Sequence, residues 1–112
     1  MAFQIYYLKK NFEFQKFSRF FKERRIKLQE FDLTKHKLGS RELALFINAF
    51  GIENLLDKDN PKVLEHPACY TNDIRAISEY IKETPFLIKL PILRDGNKLL
   101  LCYDEKRLME WL

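Results

Sequence analysis

The chain has 112 residues, enough to bury one hydrophobic core without disulfide or metal staples, and its ten phenylalanines and five tyrosines supply much of the bulk. Twenty Lys and Arg against sixteen Asp and Glu leave a net charge of +4. No run is long or apolar enough to cross a bilayer, and Met1-Ala2-Phe3-Gln4-Ile5 lacks the basic then apolar order of a secretory signal, so a cytoplasmic protein with no membrane partner is expected.

Residues 3–8 are short and rich in aromatic and β-branched side chains, the composition of a strand covered on both faces. Asn11 suits a helix N-cap, because its side-chain oxygen can accept from first-turn N–H groups, and Glu13 suits the positive end of the dipole. Phe14, Phe17 and Phe21 then recur on one face and predict a helix over 12–24. Phe12 and Phe20 fall off that stripe, so the helix is expected to be covered on more than one side, its rings packing against a sheet. Most of the excess cations lie here: Lys9, Lys10, Lys16, Arg19, Lys22, Arg24, Arg25 and Lys27. Glu13, Glu23 and Glu30 interrupt them, which reads as a solvated helix face rather than a nucleic-acid surface.

Residues 26–33 alternate apolar and polar, the pattern of a second strand, so the opening is a strand-helix-strand unit with a right-handed crossover and parallel strands. Ser40 is the expected cap of a helix carrying Leu43, Phe46, Ile47 and Phe50, closed by Gly51 in a left-handed conformation. Residues 52–57 form a short helix or turn, and Asn60-Pro61 and His66-Pro67 each push the preceding residue out of helical space. Thr71 or Asn72 caps a long helix with Ile74, Ile77 and Ile81 on one face, ended by Pro85. Pro91 has no N–H for a ladder and can only open a strand, here 91–94. A turn at Asp95-Gly96-Asn97, a strand over 98–103 and a helix over 104–112 complete a single domain, residues 1–112.

The stretch from Thr84 to Leu93, with Pro85, Leu87, Ile88, Lys89 and Pro91, followed by a hairpin and a last helix, resembles the C-terminal half of the arsenate reductase family (ArsC, Spx and YffB-like proteins). Ile5-Tyr6, residues 26–33, Glu42-Leu43, Gly51-Ile52 and Leu55-Leu56 fall in register with the same family, so the resemblance covers nearly the whole chain. It implies a thioredoxin-like, glutaredoxin-like α/β fold: a mixed βαβ…ββα sheet with an all-helical insertion at about residues 38–84. It also implies a cis Leu90-Pro91 bond beside the active site.

The same resemblance marks where the chemistry departs. The family's first helix begins with a cysteine whose thiolate the helix dipole stabilises, and the matching position is Asn11; a carboxamide forms neither a thio-arsenate nor a mixed disulfide. The redox partner of some relatives falls on Phe14. Three family arginines, suited to paired hydrogen bonds with an oxyanion, fall on Asp57, Leu90 and Tyr103. No catalytic residue is therefore expected. Lys9 and Lys10 leading into Asn11 still offer positive charge and free N–H groups to an anion, and with Leu90 and Pro91 they form the expected binding surface.

Cys69 and Cys102 have neither C-x-x-C nor metal-ligand spacing and read as free thiols, with no metal site. Cys102 is expected to be a buried small hydrophobe, and Cys69 exposed or half-buried and open to glutathionylation. His36 and His66 lack triad companions and read as surface residues. Because fold does not fix function, three functions follow from the resemblance. The working one is a redox-inactive binder of a protein or peptide partner, without a cofactor. The second is a glutathione-dependent arsenate reductase or glutaredoxin-like enzyme using a relocated cysteine. The third is an Spx-like regulator of RNA polymerase, lacking the C-x-x-C switch.

Overall fold

Residues 3–112 are described by a computed structural model. In chain order its elements are β1 (Phe3–Tyr7), α1 (Phe12–Glu23), β2 (Leu28–Asp32), α2 (Ser40–Phe50), α3 (Ile52–Leu55), α4 (Pro61–Leu64), α5 (Ile74–Glu83), β3 (Ile92–Asp95), β4 (Lys98–Leu100) and α6 (Glu105–Trp111), with 3-10 turns at Pro67–Tyr70 and Pro85–Leu87. They divide into two units, one holding the residues up to Asp32 with Leu90–Leu112, the other Leu33–Lys89.

The first unit is a mixed sheet in the order β2-β1-β3-β4. β1 runs parallel to β2, Tyr6 level with Phe31, and antiparallel to β3, Tyr6 level with Ile92. On one face Phe3, Ile5 and Tyr7 meet Phe14, Phe17, Phe20 and Phe21 of α1, with Leu93, Leu100 and Leu108 completing the cluster. Phe3 and Phe21 lie 4.8 Å apart between ring centroids, and Tyr7 and Phe14 4.6 Å. Phe20 is buried as the off-stripe reading expected, whereas Phe12 stays 74% exposed. On the other face Tyr6 stacks on Phe31 at 5.1 Å, and its hydroxyl accepts from Arg94 Nη1 at 3.3 Å.

Several boundaries differ from the sequence reading. The second strand starts at Leu28 rather than at residue 26, because Ile26 is spent on closing α1. Its N–H donates to the Phe21 carbonyl (2.9 Å) and that of Arg25 to Lys22 (3.1 Å), the paired bonds of a Schellman motif. Arg25, at φ 55, takes the left-handed place that glycine usually fills. β3 starts at Ile92, one residue after Pro91, and the Leu90-Pro91 bond is cis. β4 stops at Leu100, short of the expected residue 103.

Between β2 and β3 the regular elements are helical, apart from a bridge between Leu56 and Ile88. Leu43, Phe46, Leu55, Leu56, Val63, Ile77, Ile81 and Leu87 are buried here. The cap of α2 is Gly39, not Ser40: the Glu42 carboxylate reaches back to the Gly39 N–H at 3.3 Å, while the Ser40 hydroxyl accepts from Lys82 Nζ at 2.5 Å. The cap of α5 is Asp73, not Thr71 or Asn72. Its carboxylate accepts from the N–H groups of Arg75 (3.0 Å) and Ala76 (3.4 Å), and Thr71 Oγ1 is occupied by the Asp73 N–H (3.2 Å). Ile74, expected on the core face, is 50% exposed and lines a groove of about 470 Å³ with Ala44, Ile47 and Ser78. Among the described residues no helix is long and apolar enough to cross a membrane.

Gly51 ends α2 and begins α3 at once: its N–H donates to the Ile47 carbonyl (2.8 Å) and its carbonyl accepts from the Leu55 N–H (3.0 Å). Its φ of 79 is positive as expected, but its ψ of 150 lies outside the left-handed helical region, in territory reached essentially by glycine alone. A Cβ at this position would meet nothing within 4 Å. Gly51→Ala should therefore lose about 1–3 kcal/mol in urea unfolding through backbone strain alone, with a native fold retained.

Candidate binding site

Asn11 has extended backbone (φ -76, ψ -172), and its Oδ1 accepts the Phe14 N–H at 3.0 Å, so it caps α1 as its sequence position predicts. Its carbonyl accepts the Gln15 N–H at 3.0 Å. The N–H groups of Phe12 and Glu13 belong to the first turn and have no intrahelical acceptor. Lys9, Lys10 and Asn11 are exposed, but the Lys10 ammonium sits 3.8 Å from Glu30 and 5.7 Å from the centroid of the Phe14 ring. Part of its charge is thus answered inside the protein. Phe14 is buried against Tyr7 and offers no reactive group.

The register of the sheet brings the cis-proline to the same end of the fold. Ile92 is level with Tyr6, so Pro91 arrives beside Tyr7, whose ring packs on Phe14 in the first turn of α1. Pro91 is buried and Leu90 half-buried. Pro91 thus stands next to the end of β1, from which the chain runs on to Asn11 and α1. Asp57 belongs to the second unit, half-buried, with its N–H donating to the Leu87 carbonyl at 2.8 Å.

Tyr103 is not at a strand end, since β4 has already finished. Its N–H donates to Glu13 Oε2 at 3.0 Å, which ties the segment after β4 to the first turn of α1. Its ring runs down the helix, edge-on to Phe17 at 5.3 Å and Phe20 at 6.3 Å. Burial pushes the phenol above its ordinary value; Glu105 and Glu23 push the same way, and Arg24 and Arg19 oppose. Tyr103 is therefore a neutral core edge at pH 7. The Glu13 tie joins residues 90 apart, and no periodicity or local motif could have announced it.

The other candidates need two corrections. Cys102 is exposed, not buried, because the chain has left the sheet before reaching it. His66 is not a plain surface residue: its Nδ1 accepts the Ala68 N–H at 3.1 Å, capping the Pro67–Tyr70 turn, and its ring meets Tyr80 edge-on at 5.0 Å. Cys69 is half-buried, and its thiol donates to the Val63 carbonyl at 3.1 Å. His36 is exposed. Among the described residues no group of three His, Cys, Asp or Glu could hold a metal ion.

Glu13 joins the segment after β4 to the start of α1. Glu13→Ala, which leaves the Tyr103 N–H without its acceptor, should destabilise by about 1–3 kcal/mol in chemical denaturation, whereas Glu13→Gln, which keeps an oxygen there, should cost under about 1 kcal/mol.

No protein-family model matches the sequence, and no curated protein matches it. Solved structures do. An arsenate reductase from Vibrio cholerae matches with a TM-score of 0.81, over 100% of this chain and 98% of that one, at 16% identity. An arsenate reductase (ArsC) related protein from Brucella melitensis matches at 0.70, over 99% and 94%, with 20% identity. A Staphylococcus aureus protein matches at 0.76, over 97% of each chain, again with 20% identity. At these identities it is the fold that is shared: the chain has the mixed four-stranded, thioredoxin-like α/β architecture of arsenate reductase-related structures.

Proposed function

We propose that the chain is an ArsC-family protein that has given up thiol redox chemistry and acts by holding a protein or peptide segment at Lys9, Lys10, Asn11, Leu90 and Pro91. The observation that carries this reading is the carboxamide of Asn11 at the cap of α1, where the resemblance implies a nucleophilic cysteine. Reducing arsenate or a disulfide requires a sulfur that forms an S–As or S–S bond and later surrenders it, and an amide does neither. The positions implied for anion-binding arginines support the same reading. Tyr103 is turned onto Phe17 and Phe20, and Leu90 is apolar. What the fold retains is the surface beside the cis-proline, which in thioredoxin-like proteins can receive an extended peptide.

The exposure of Cys102 favours a second reading, a glutathione-dependent oxidoreductase with a relocated cysteine. Its thiolate would attack oxidised glutathione, forming a mixed disulfide and releasing one glutathione thiolate. Glutathione-coupled assays with arsenate and with a small disulfide separate the two. Wild type should show no turnover, and Cys69→Ser/Cys102→Ser protein should retain its bound partner; turnover abolished by Cys102→Ser would decide for the second reading. An Asn11→Cys variant calibrates the assay. Its thiol, placed at a helix N-terminus, should titrate below the ordinary value of about 8.5, and loss of the cap should cost about 0.5–2 kcal/mol.

A further inference from the structure

We infer that the outward face of α1, running from Phe12 through Lys16 and Arg19 to Lys22, docks an acidic protein segment. This rests on the binding reading above and gives the chemistry of the partner. Charge in this protein is unevenly placed: eight of the twenty cations and only two of the sixteen acids fall between residues 9 and 27, leaving an excess of two acids over the rest of the chain. Within that run the cations have different fates. Lys10 pairs with Glu30, Lys16 with Glu13 and Arg24 with Glu105. Arg19 and Lys22 are exposed and have no ion-pair partner among the described residues.

Lys16, Arg19 and Lys22 follow one another at three-residue steps, so they are neighbours on the helix surface, and like charges at that spacing oppose helix formation. The helix dipole favours Lys22 in the last turn but does nothing for Arg19 in the middle. An incoming carboxylate would relieve that repulsion. Beside these cations Gln15, Ser18 and Glu23 complete a shallow polar depression of about 240 Å³. At the other end of the stripe, next to Asn11, the Phe12 ring is 74% exposed, with the Lys16 ammonium 4.7 Å from its centroid.

The pattern is an apolar patch, then two unanswered cations, then an acid. A short segment with an apolar side chain followed by acidic ones complements it in that order. A phosphate backbone, with unbroken charge, would meet Glu23 beside Lys22.

The test is fluorescence anisotropy on the full chain, with a labelled glutamate-rich peptide carrying one leucine as the probe. Its glutamine counterpart and an oligothymidylate strand serve as comparisons. Binding of the acidic peptide should weaken with salt. It should fall at least about tenfold in Arg19→Glu/Lys22→Glu, less in Arg19→Gln/Lys22→Gln, and stay within about twofold in Lys62→Glu/Lys106→Glu, which removes the same net charge elsewhere. Phe12→Ser should weaken it as well. Equal losses in the two charge-reversed pairs, tighter binding of oligothymidylate, or no peptide binding by folded wild type would each overturn the inference. No peptide binding together with no thiol turnover overturns this inference alone, whereas thiol turnover overturns the functional reading beneath it.

Discussion

Burial of four phenylalanines from a single helix is the constraint on which the sheet-bearing unit depends. Phe14, Phe17, Phe20 and Phe21 are all buried, and each removes enough apolar surface from water to contribute about 1.5–3 kcal/mol. Because the four rings are distributed along the whole length of α1, tilting or sliding the helix would lift at least one of them off the sheet. The N-terminal end is held most directly, by Phe14 on Tyr7 and by Glu13 on the Tyr103 N–H. The position of Asn11 is thus a property of the core, whatever chemistry that position carries.

The same geometry clarifies what an amide contributes at that place. Asparagine is among the strongest N-caps, and here its oxygen satisfies a first-turn N–H that would otherwise need water. A thiol is a weak acceptor and caps poorly. A helix that starts on a reactive sulfur therefore gives up capping free energy for reactivity, and one that starts on asparagine does not. Whatever Asn11 lacks as a nucleophile, its carboxamide contributes to the local stability of the first turn of α1.

What could be read from the sequence was either local or periodic. The Asn11 cap, the phenylalanine stripe and the strand-helix-strand opening each depend on residues within a few positions of one another, and all are present. The cis Leu90-Pro91 bond followed from the family resemblance rather than from any such rule. The misreadings came from competition between near-equal local choices. Ser40 and Gly39 could both have begun α2, and Glu42 settled it by bonding the Gly39 N–H. Thr71, Asn72 and Asp73 could all have capped α5, and Thr71 was consumed by the Asp73 N–H. Ile26 suited a strand by composition but closes a helix, because Arg25 accepts a positive φ. The exposure of Cys102 was not legible either. It depends on β4 stopping at Leu100 and on a hydrogen bond to a glutamate at the far end of the chain.

The cation run on α1 shows how a uniform stretch of sequence becomes several different things once folded. Arg24 lies with its guanidinium 3.8 Å from the Phe20 centroid, donates to the Phe20 carbonyl at 3.3 Å and reaches Glu105 at 3.8 Å. It is a core edge that happens to be charged, its hydrocarbon stem and planar head covering a buried ring. Arg25 is committed to the turn that closes the helix. Lys10 and Lys16 are balanced by neighbouring carboxylates. A charge excess counted over the run therefore overstates what the surface offers, and the cations left to a partner are those whose positions the fold does not use. On the helix face those are Arg19 and Lys22, and their place on the outward side of a helix whose inner side is fully occupied by phenylalanine follows from the same periodicity that built the core.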